Sequence, residues 1–335
     1  MKIALLVQPS LVISGGDQII NLIYESLKKK YDVSLICLLP SNLDNKIKRS
    51  LKFLYRYLKS FLSKYGNRPK LKRFNHLKNY DFVIVGWNED CAALINSGFP
   101  NKKIIHICQS FETWASDIYS SRIIYQNKIH RLFVARWLQN YLKTNSLSSS
   151  FIGNCINDCF FKNQELIDFK KKKFITFLSH KGWYKNSIES LLFGEKISQK
   201  LNLPILQIGG SRGKENFVNL LTNLRPPQMR KVFDETKYLI SLSHYEGMPL
   251  FVIEALSRGC IAILSNIPAH KEIYERYPNQ VLIVNHAPFN FNDIDISVSN
   301  LQNLNFKFEK EKYNFYRSDN FIKIVLENII KIVKS

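Results

Sequence analysis

The sequence predicts an α/β chain of two doubly wound domains facing across a cleft. Three observations carry this. The chain has 335 residues, more than one ordinary core accommodates and suited to two domains of roughly 150 residues each. Short apolar runs rich in β-branched residues alternate with helical stretches. That alternation occurs twice in succession, with a polar interruption between the two series.

In the first series, Ile3–Val7, Val33–Leu39, Phe82–Val85 and Ile104–Cys108 are near-continuously apolar. Strands buried on both faces of a parallel sheet read this way. Helical patterns at Asp17–Lys30 and Glu89–Ser97 lie between them. The second series is Phe174–Leu178, Ile205–Ile208, Tyr238–Leu242, Ile261–Leu264 and Val281–Val284. Helices at Ser187–Lys200, Pro249–Arg258 and Pro268–Arg276 separate these strands. The polar stretch Asn157–Lys173, with its run Lys170–Lys173, marks the boundary. The expected division is residues 1–160, residues 161–318, and a last segment 319–335. The last helix, Asn320–Val333, is apolar on one face and expected to return to the first domain.

Composition narrows the function. Hydrophobic residues make up 45% and charged residues 22%, a globular mixture. Lys and Arg total 48 against 27 Asp and Glu, a net charge of +21, which favours anionic partners. No helix-turn-helix, zinc-finger or RNA-binding signature accompanies the charge, so nucleic acid is not the expected partner. The six cysteines are scattered, and Cys155 and Cys159 have no second pair, so neither a disulfide framework nor a zinc site is expected. No run approaches a membrane span and the N-terminus has no signal-peptide pattern, which predicts a cytoplasmic protein.

Two segments hold candidate chemistry. Gly15-Gly16, placed between the first strand and a helix opening at Asp17, lets backbone approach a ligand at a helix N-terminus. The second is Ser243-His-Tyr-Glu-Gly-Met-Pro-Leu-Phe-Val-Ile-Glu-Ala-Leu-Ser-Arg-Gly-Cys260. Here Pro249 suits a helix start. Glu246 falls in the loop before that helix and Glu254 more than one turn inside it. The amides of Gly247 and Met248 face the crevice outside the strand carboxyl ends, where ligands bind in open α/β sheets. Carboxylates and amides together suit a polyhydroxylated ligand. Glu254, among Val252, Ile253, Ala255 and Leu256, is costly there if idle.

This segment resembles retaining glycosyltransferase family 4, metal-independent enzymes of the GT-B fold, in which two Rossmann-like domains bind a nucleotide-sugar donor. The resemblance implies that Glu246 holds donor-sugar hydroxyls, that Gly247 and Met248 offer amides to the sugar with Pro249 and Leu250 opening the helix beside them, and that Glu254 binds ribose. Gly15 and Gly16 would lie at the diphosphate. The family's diphosphate-binding Arg and Lys stand five residues apart; here Lys185 fits the Lys, while His180, with Lys181 beside it, occupies the Arg position. A neutral His clamps diphosphate more weakly than Arg. Many members carry a His near the reacting carbon. Gln109 takes that place, followed by Glu112, with His106 competing for it. Gln109-Ser-Phe-Glu112 is similar to a variant of some rhamnosyltransferase-like members, which implies a deoxyhexose as well as a hexose among the candidate donor sugars. Glu246, Lys185 and Gln109 are the implied catalytic set, with no cofactor or metal. Asp293-Ile-Asp295, the one D-x-D sequence, reads as surface.

Lys46 to Arg73 contains eleven basic residues and no acid. Leu51, Leu54, Leu58, Phe61, Leu62 and Tyr65 recur at helical spacing, with Lys48, Arg49, Lys52, Arg56 and Lys59 around them. Such a helix can lie on an anionic inner membrane surface, bringing the protein to a lipid-linked or cell-surface glycan acceptor; it can equally pack its apolar face on the first sheet. A non-catalytic sugar- or lipid-binding protein of the same fold is the alternative to an enzyme.

Overall fold

A computed structural model of the chain describes residues 1–7, 15–38, 70–72, 74–111, 118–162, 168–210, 219–284, 299, 301, 306 and 308–335. It divides into two compact units, Met1–Asn154 with Asp319–Ser335, and Cys155–Ser318.

The first unit is a parallel sheet of seven strands, β1 (Lys2–Leu6), β2 (Asp32–Leu38), β3 (Lys70–Lys72), β4 (Phe82–Val85), β5 (Ile104–Cys108), β6 (Ile129–Phe133) and β7 (Ser146–Phe151), in the order β3-β2-β1-β4-β5-β6-β7. Its helices are α1 (Gly15–Leu27), α2 (Asn88–Asn96), α3 (Ile118–Gln126) and α4 (Arg136–Leu142), and α9 (Ser318–Lys334) joins it from the chain end. The apolar runs become strands because both faces are covered: Ile3 to Leu6 and Val83 to Val85 are buried. Along α9, Phe321, Val325, Ile329 and Ile332 are buried at a spacing of three to four residues, the apolar face read in the sequence.

The second unit repeats the plan with six parallel strands, β8 (Phe174–Leu178), β9 (Ile205–Ile208), β10 (Asn219–Leu221), β11 (Thr236–Ser241), β12 (Ile261–Ser265) and β13 (Val281–Val284), ordered β10-β9-β8-β11-β12-β13. Its helices are α5 (Ser187–Leu201), α6 (Pro226–Glu235), α7 (Leu250–Ser257) and α8 (Pro268–Arg276). Alternate residues of its strands feed two cores. Leu239, Ala262 and Leu264 pack on one face, and Ile240, Ile261 and Ile263 on the other.

Both strand orders reverse direction beside the first strand of the unit, between β1 and β4 and between β8 and β11. Crossover loops leave in opposite directions at such a point and open a crevice above the strand carboxyl ends.

Four strands escape the sequence reading for physical reasons. In β6 the fully buried Arg131 interrupts the apolar run, yet its guanidinium donates to the carbonyls of Ile124 (2.6 Å), Asn127 (2.9 Å) and Asn145. The serine-rich β7 is only half-buried, and β3 and β10 are three-residue edges. The lysine run, read as a polar interruption, contains a buried member. Lys172 Nζ donates to the carbonyls of Phe233 (2.9 Å) and Asp234 (2.7 Å) at the C-terminus of α6, where a cation satisfies unpaired carbonyls.

Candidate functional site

At the switch point of the second unit, β8 and β11 are hydrogen-bonded neighbours, and the loops following them carry the candidate residues. After β8 the chain passes His180, Lys181 and a short 3-10 turn, Trp183–Lys185. Asn186 then takes a left-handed conformation, φ 49°, which Asn tolerates better than most residues. This turn delivers Lys185 toward β11 and starts α5 at Ser187. The Asn186 side chain donates to Leu242 O (3.0 Å) and to the Glu189 carboxylate. Ser190 Oγ accepts from Leu242 N (3.1 Å). Tyr184 O accepts from His244 N (2.8 Å) and Tyr245 N (3.4 Å). Two loops 61 residues apart in sequence are thereby held as one structure.

Lys185 Nζ lies 2.7 Å from both carboxylate oxygens of Glu246. The pair is largely shielded, with side-chain exposures of 21% and 9%, so solvent screens it little. Ser243 Oγ donates to Glu246 Oε1 at 2.9 Å. Ser265 Oγ donates to Ser243 O at 2.5 Å and meets His270 Nδ1 at 3.1 Å. His270 Nδ1 is also 3.0 Å from Ser265 O, a carbonyl that can only accept, so this nitrogen carries the proton. Burial holds His270 down to about 4, against the pull of Glu246, and the ring is neutral at pH 7. A hydrogen-bonded chain thus runs from β12 through Ser243 to the carboxylate.

His180 is exposed, and its Nδ1 accepts from Gly182 N at 2.9 Å. A backbone N–H only donates, so Nδ1 is bare and the ring neutral. Partial desolvation of the ring and the Lys185 ammonium both hold its titration below the usual value, against Glu246. Lys181 is exposed, and among the described residues no acid pairs with it.

Helix α7 begins at Leu250, with Pro249 as its N-cap residue rather than within its first turn. Met248 and Leu250 pack their side chains against the core, which leaves their backbone as the part that can meet a ligand. Glu254 is partly buried, and among the described residues no cation pairs with it. Burial pushes its carboxyl up to about 8. At neutral pH the free protein therefore holds Glu254 mostly protonated, able to donate as well as accept.

In the first unit, α1 opens at Gly15, so Gly15 and Gly16 form its first turn instead of preceding it. Gln109 follows β5 directly. A β-carbon on Gly16 would stand 2.3 Å from Gln109 Oε1, and one on Gly86, which follows β4, 3.1 Å from Gln109 Nε2. The carboxamide thus occupies a slot that two glycines leave open at the first switch point. His106 does not compete with Gln109: it is buried inside β5, 3.3 Å from Cys108 Sγ, and burial and Arg131 hold it down to about 3. Glu112, Asp293, Asp295 and the basic stretch with Lys48, Arg49, Lys52, Arg56 and Lys59 lie outside the described residues. All six cysteines are buried. Among the described residues no helix is long and apolar enough to cross a membrane.

Sequence reasoning missed Ser243, Ser265, His270 and Asn186. Only Ser243 offered a signal, lying in the same segment as Glu246.

Residues 163–315 match the family model described as glycosyl transferases group 1. The match spans most of the second unit and less than half of the chain, and the Lys185–Glu246 pair and Glu254 fall within the matched residues. Solved structures show the fold of the whole chain. HepE of Anabaena, solved with UDP and glucose, superposes with a TM-score of 0.67 at 11% identity, covering 99% of this chain and 100% of that one. WaaG, a glycosyltransferase involved in lipopolysaccharide biosynthesis, gives 0.63 at 9% identity, covering 98% and 99%. A glycosyltransferase from Rickettsia africae gives 0.62 at 16% identity, covering 100% and 99%. The two Rossmann-like units thus have the GT-B fold. No curated protein matches the sequence.

Proposed function

We propose that this chain is a retaining glycosyltransferase of the family 4 type. It moves a hexose or deoxyhexose from a nucleotide-diphosphate donor to a cell-surface glycan or lipid-linked saccharide. The observation that carries this reading is the Lys185–Glu246 pair at the switch point of the second unit, within the residues that match the family model. HepE binds UDP and glucose, and the same chemistry fits the residues here.

Breaking a sugar–phosphate bond places negative charge on the departing diphosphate and positive charge on the sugar. Groups fixed in advance where that charge develops lower the barrier. Lys185 is the cation for the diphosphate, with Lys181 and the neutral His180 as hydrogen-bond donors beside it. In the resting protein Lys185 neutralises Glu246. When a diphosphate takes the ammonium, Glu246 is released to accept from sugar hydroxyls, held in place by Ser243. The amides of Gly247 and Met248 contact the sugar, and Glu254 meets the ribose. From the first unit, the resemblance assigns Gln109 and the first-turn amides at Gly15 and Gly16 to the same reaction. In this mechanism the protein's own cation and amides meet the leaving charge, without a metal. The basic stretch Lys46–Arg73 supports a cytoplasmic enzyme working at the inner membrane surface.

The test is donor turnover. Glu246→Ala and Lys185→Ala should each lower hydrolysis or transfer by about 100-fold or more, and the product's anomeric configuration, read by NMR, should match the donor's. Unchanged turnover in either variant, or an inverted product, would overturn the corresponding part of the reading.

A further inference from the structure

Beside the Lys185–Glu246 pair stand two large aromatic side chains that the mechanism does not use. Trp183 is 64% exposed and Tyr245 48% exposed. They occupy different loops yet meet at 5.7 Å between ring centroids, at an interplanar angle of 80°. The backbone ties that join these loops hold them there, and His244 flanks Trp183 at 6.2 Å. Two rings set nearly at right angles form a corner, one a floor and the other a wall. Such apolar area left in water, on loops this firmly braced, marks a binding surface.

We infer that Trp183 and Tyr245 form a stacking corner for a pyranose ring; this rests on the proposed glycosyltransferase reading. A pyranose has an apolar face of C–H bonds and a rim of hydroxyls. It needs an aromatic surface for the first and hydrogen-bonding groups at the edge for the second. The surroundings supply both: Glu246 follows Tyr245 in the chain, and Lys185 stands two residues beyond Trp183. An acyl chain would need a continuous apolar groove, whereas His180, Lys181, Lys185 and Glu246 make this rim polar. The ring can belong to the donor's sugar or to the acceptor saccharide.

Calorimetric titration of the full chain with UDP, UDP-glucose, and neutral methyl glycosides added to UDP-loaded protein tests the corner. Trp183→Ala and Tyr245→Ala should leave UDP affinity within twofold and weaken a sugar-bearing ligand by tenfold or more. A loss confined to UDP-glucose assigns the donor sugar, and a loss confined to the methyl glycosides assigns the acceptor; both support the corner. Trp183→Tyr should restore most of the affinity and Trp183→Leu should not, which separates stacking from bulk. Equal losses for UDP and UDP-glucose, or no loss for any saccharide, would overturn the proposal. Glu246→Ala keeps the two levels apart. Saccharide binding that fails in Glu246→Ala but survives in Trp183→Ala discards the corner and keeps the site. A wild-type chain that binds none of these sugars or nucleotides discards both.

Discussion

Lys185 and Glu246, 61 residues apart, meet through one ammonium and both carboxylate oxygens at 2.7 Å, across the point where the second sheet reverses its strand order. The pair is mostly removed from water. Taking away one partner leaves a desolvated charge rather than merely a lost contact. Lys185→Ala should therefore destabilise the protein by about 2–3 kcal/mol, while Lys185→Ala combined with Glu246→Gln should recover about 1 kcal/mol or more of that loss. Urea denaturation of the single variants and the double variant checks the coupling; additive effects would show that the pair is solvated.

Ser243 Oγ fixes one oxygen of Glu246, and Ser265 fixes Ser243 in turn. Ser243→Ala removes a hydrogen bond to a charged group, a change of about 1.5–3 kcal/mol in the affected state. The loss should fall on nucleotide-sugar affinity more than on affinity for the nucleotide alone, read by calorimetry with the two ligands.

Gly16 leaves room for the end of the Gln109 side chain. A methyl group there displaces the carboxamide but no backbone, and alanine favours a helix more than glycine does by about 1 kcal/mol. Gly16→Ala should keep or slightly raise the melting temperature while lowering turnover as far as Gln109→Ala does. In the Gln109→Ala background the glycine substitution should have little further effect. A turnover loss that persists undiminished in that background would show that Gly16 acts independently of Gln109.

Glu254 titrates near 8 in the folded chain against an ordinary value of 4.5. Between these values the folded state binds more protons than the unfolded one. Its contribution to stability is therefore complete below about pH 4.5 and is lost as pH rises toward 8. Glu254→Gln should flatten this slope, gaining on the wild type by roughly 2 kcal/mol between pH 4 and pH 9, a part of the full shift because the side chain keeps some solvent contact. Thermal melts of both proteins across that range provide the measurement; parallel curves would place the carboxyl in water.

The sequence by itself determined the two βα series, the bounds of Phe174–Leu178, Ile104–Cys108 and Pro268–Arg276, and the placement of Glu246 in a loop with Glu254 in the following helix. These follow from periodicity and from residues a few positions apart, which the chain displays directly. Tertiary structure decided the rest. Arg131 and Lys172 carry nothing in the local sequence that marks them as buried; backbone carbonyls from other elements surround them and make burial possible. His106 and Gln109 are three residues apart, and only the extent of β5 shows that the first is sealed in the sheet and the second stands beyond its end. The left-handed turn at Asn186, the partnership of Lys185 with Glu246 and the corner of Trp183 and Tyr245 arise because parallel strands are joined by crossovers. The residues that meet above the strand ends are then distant in sequence, and no local pattern records which of them will touch.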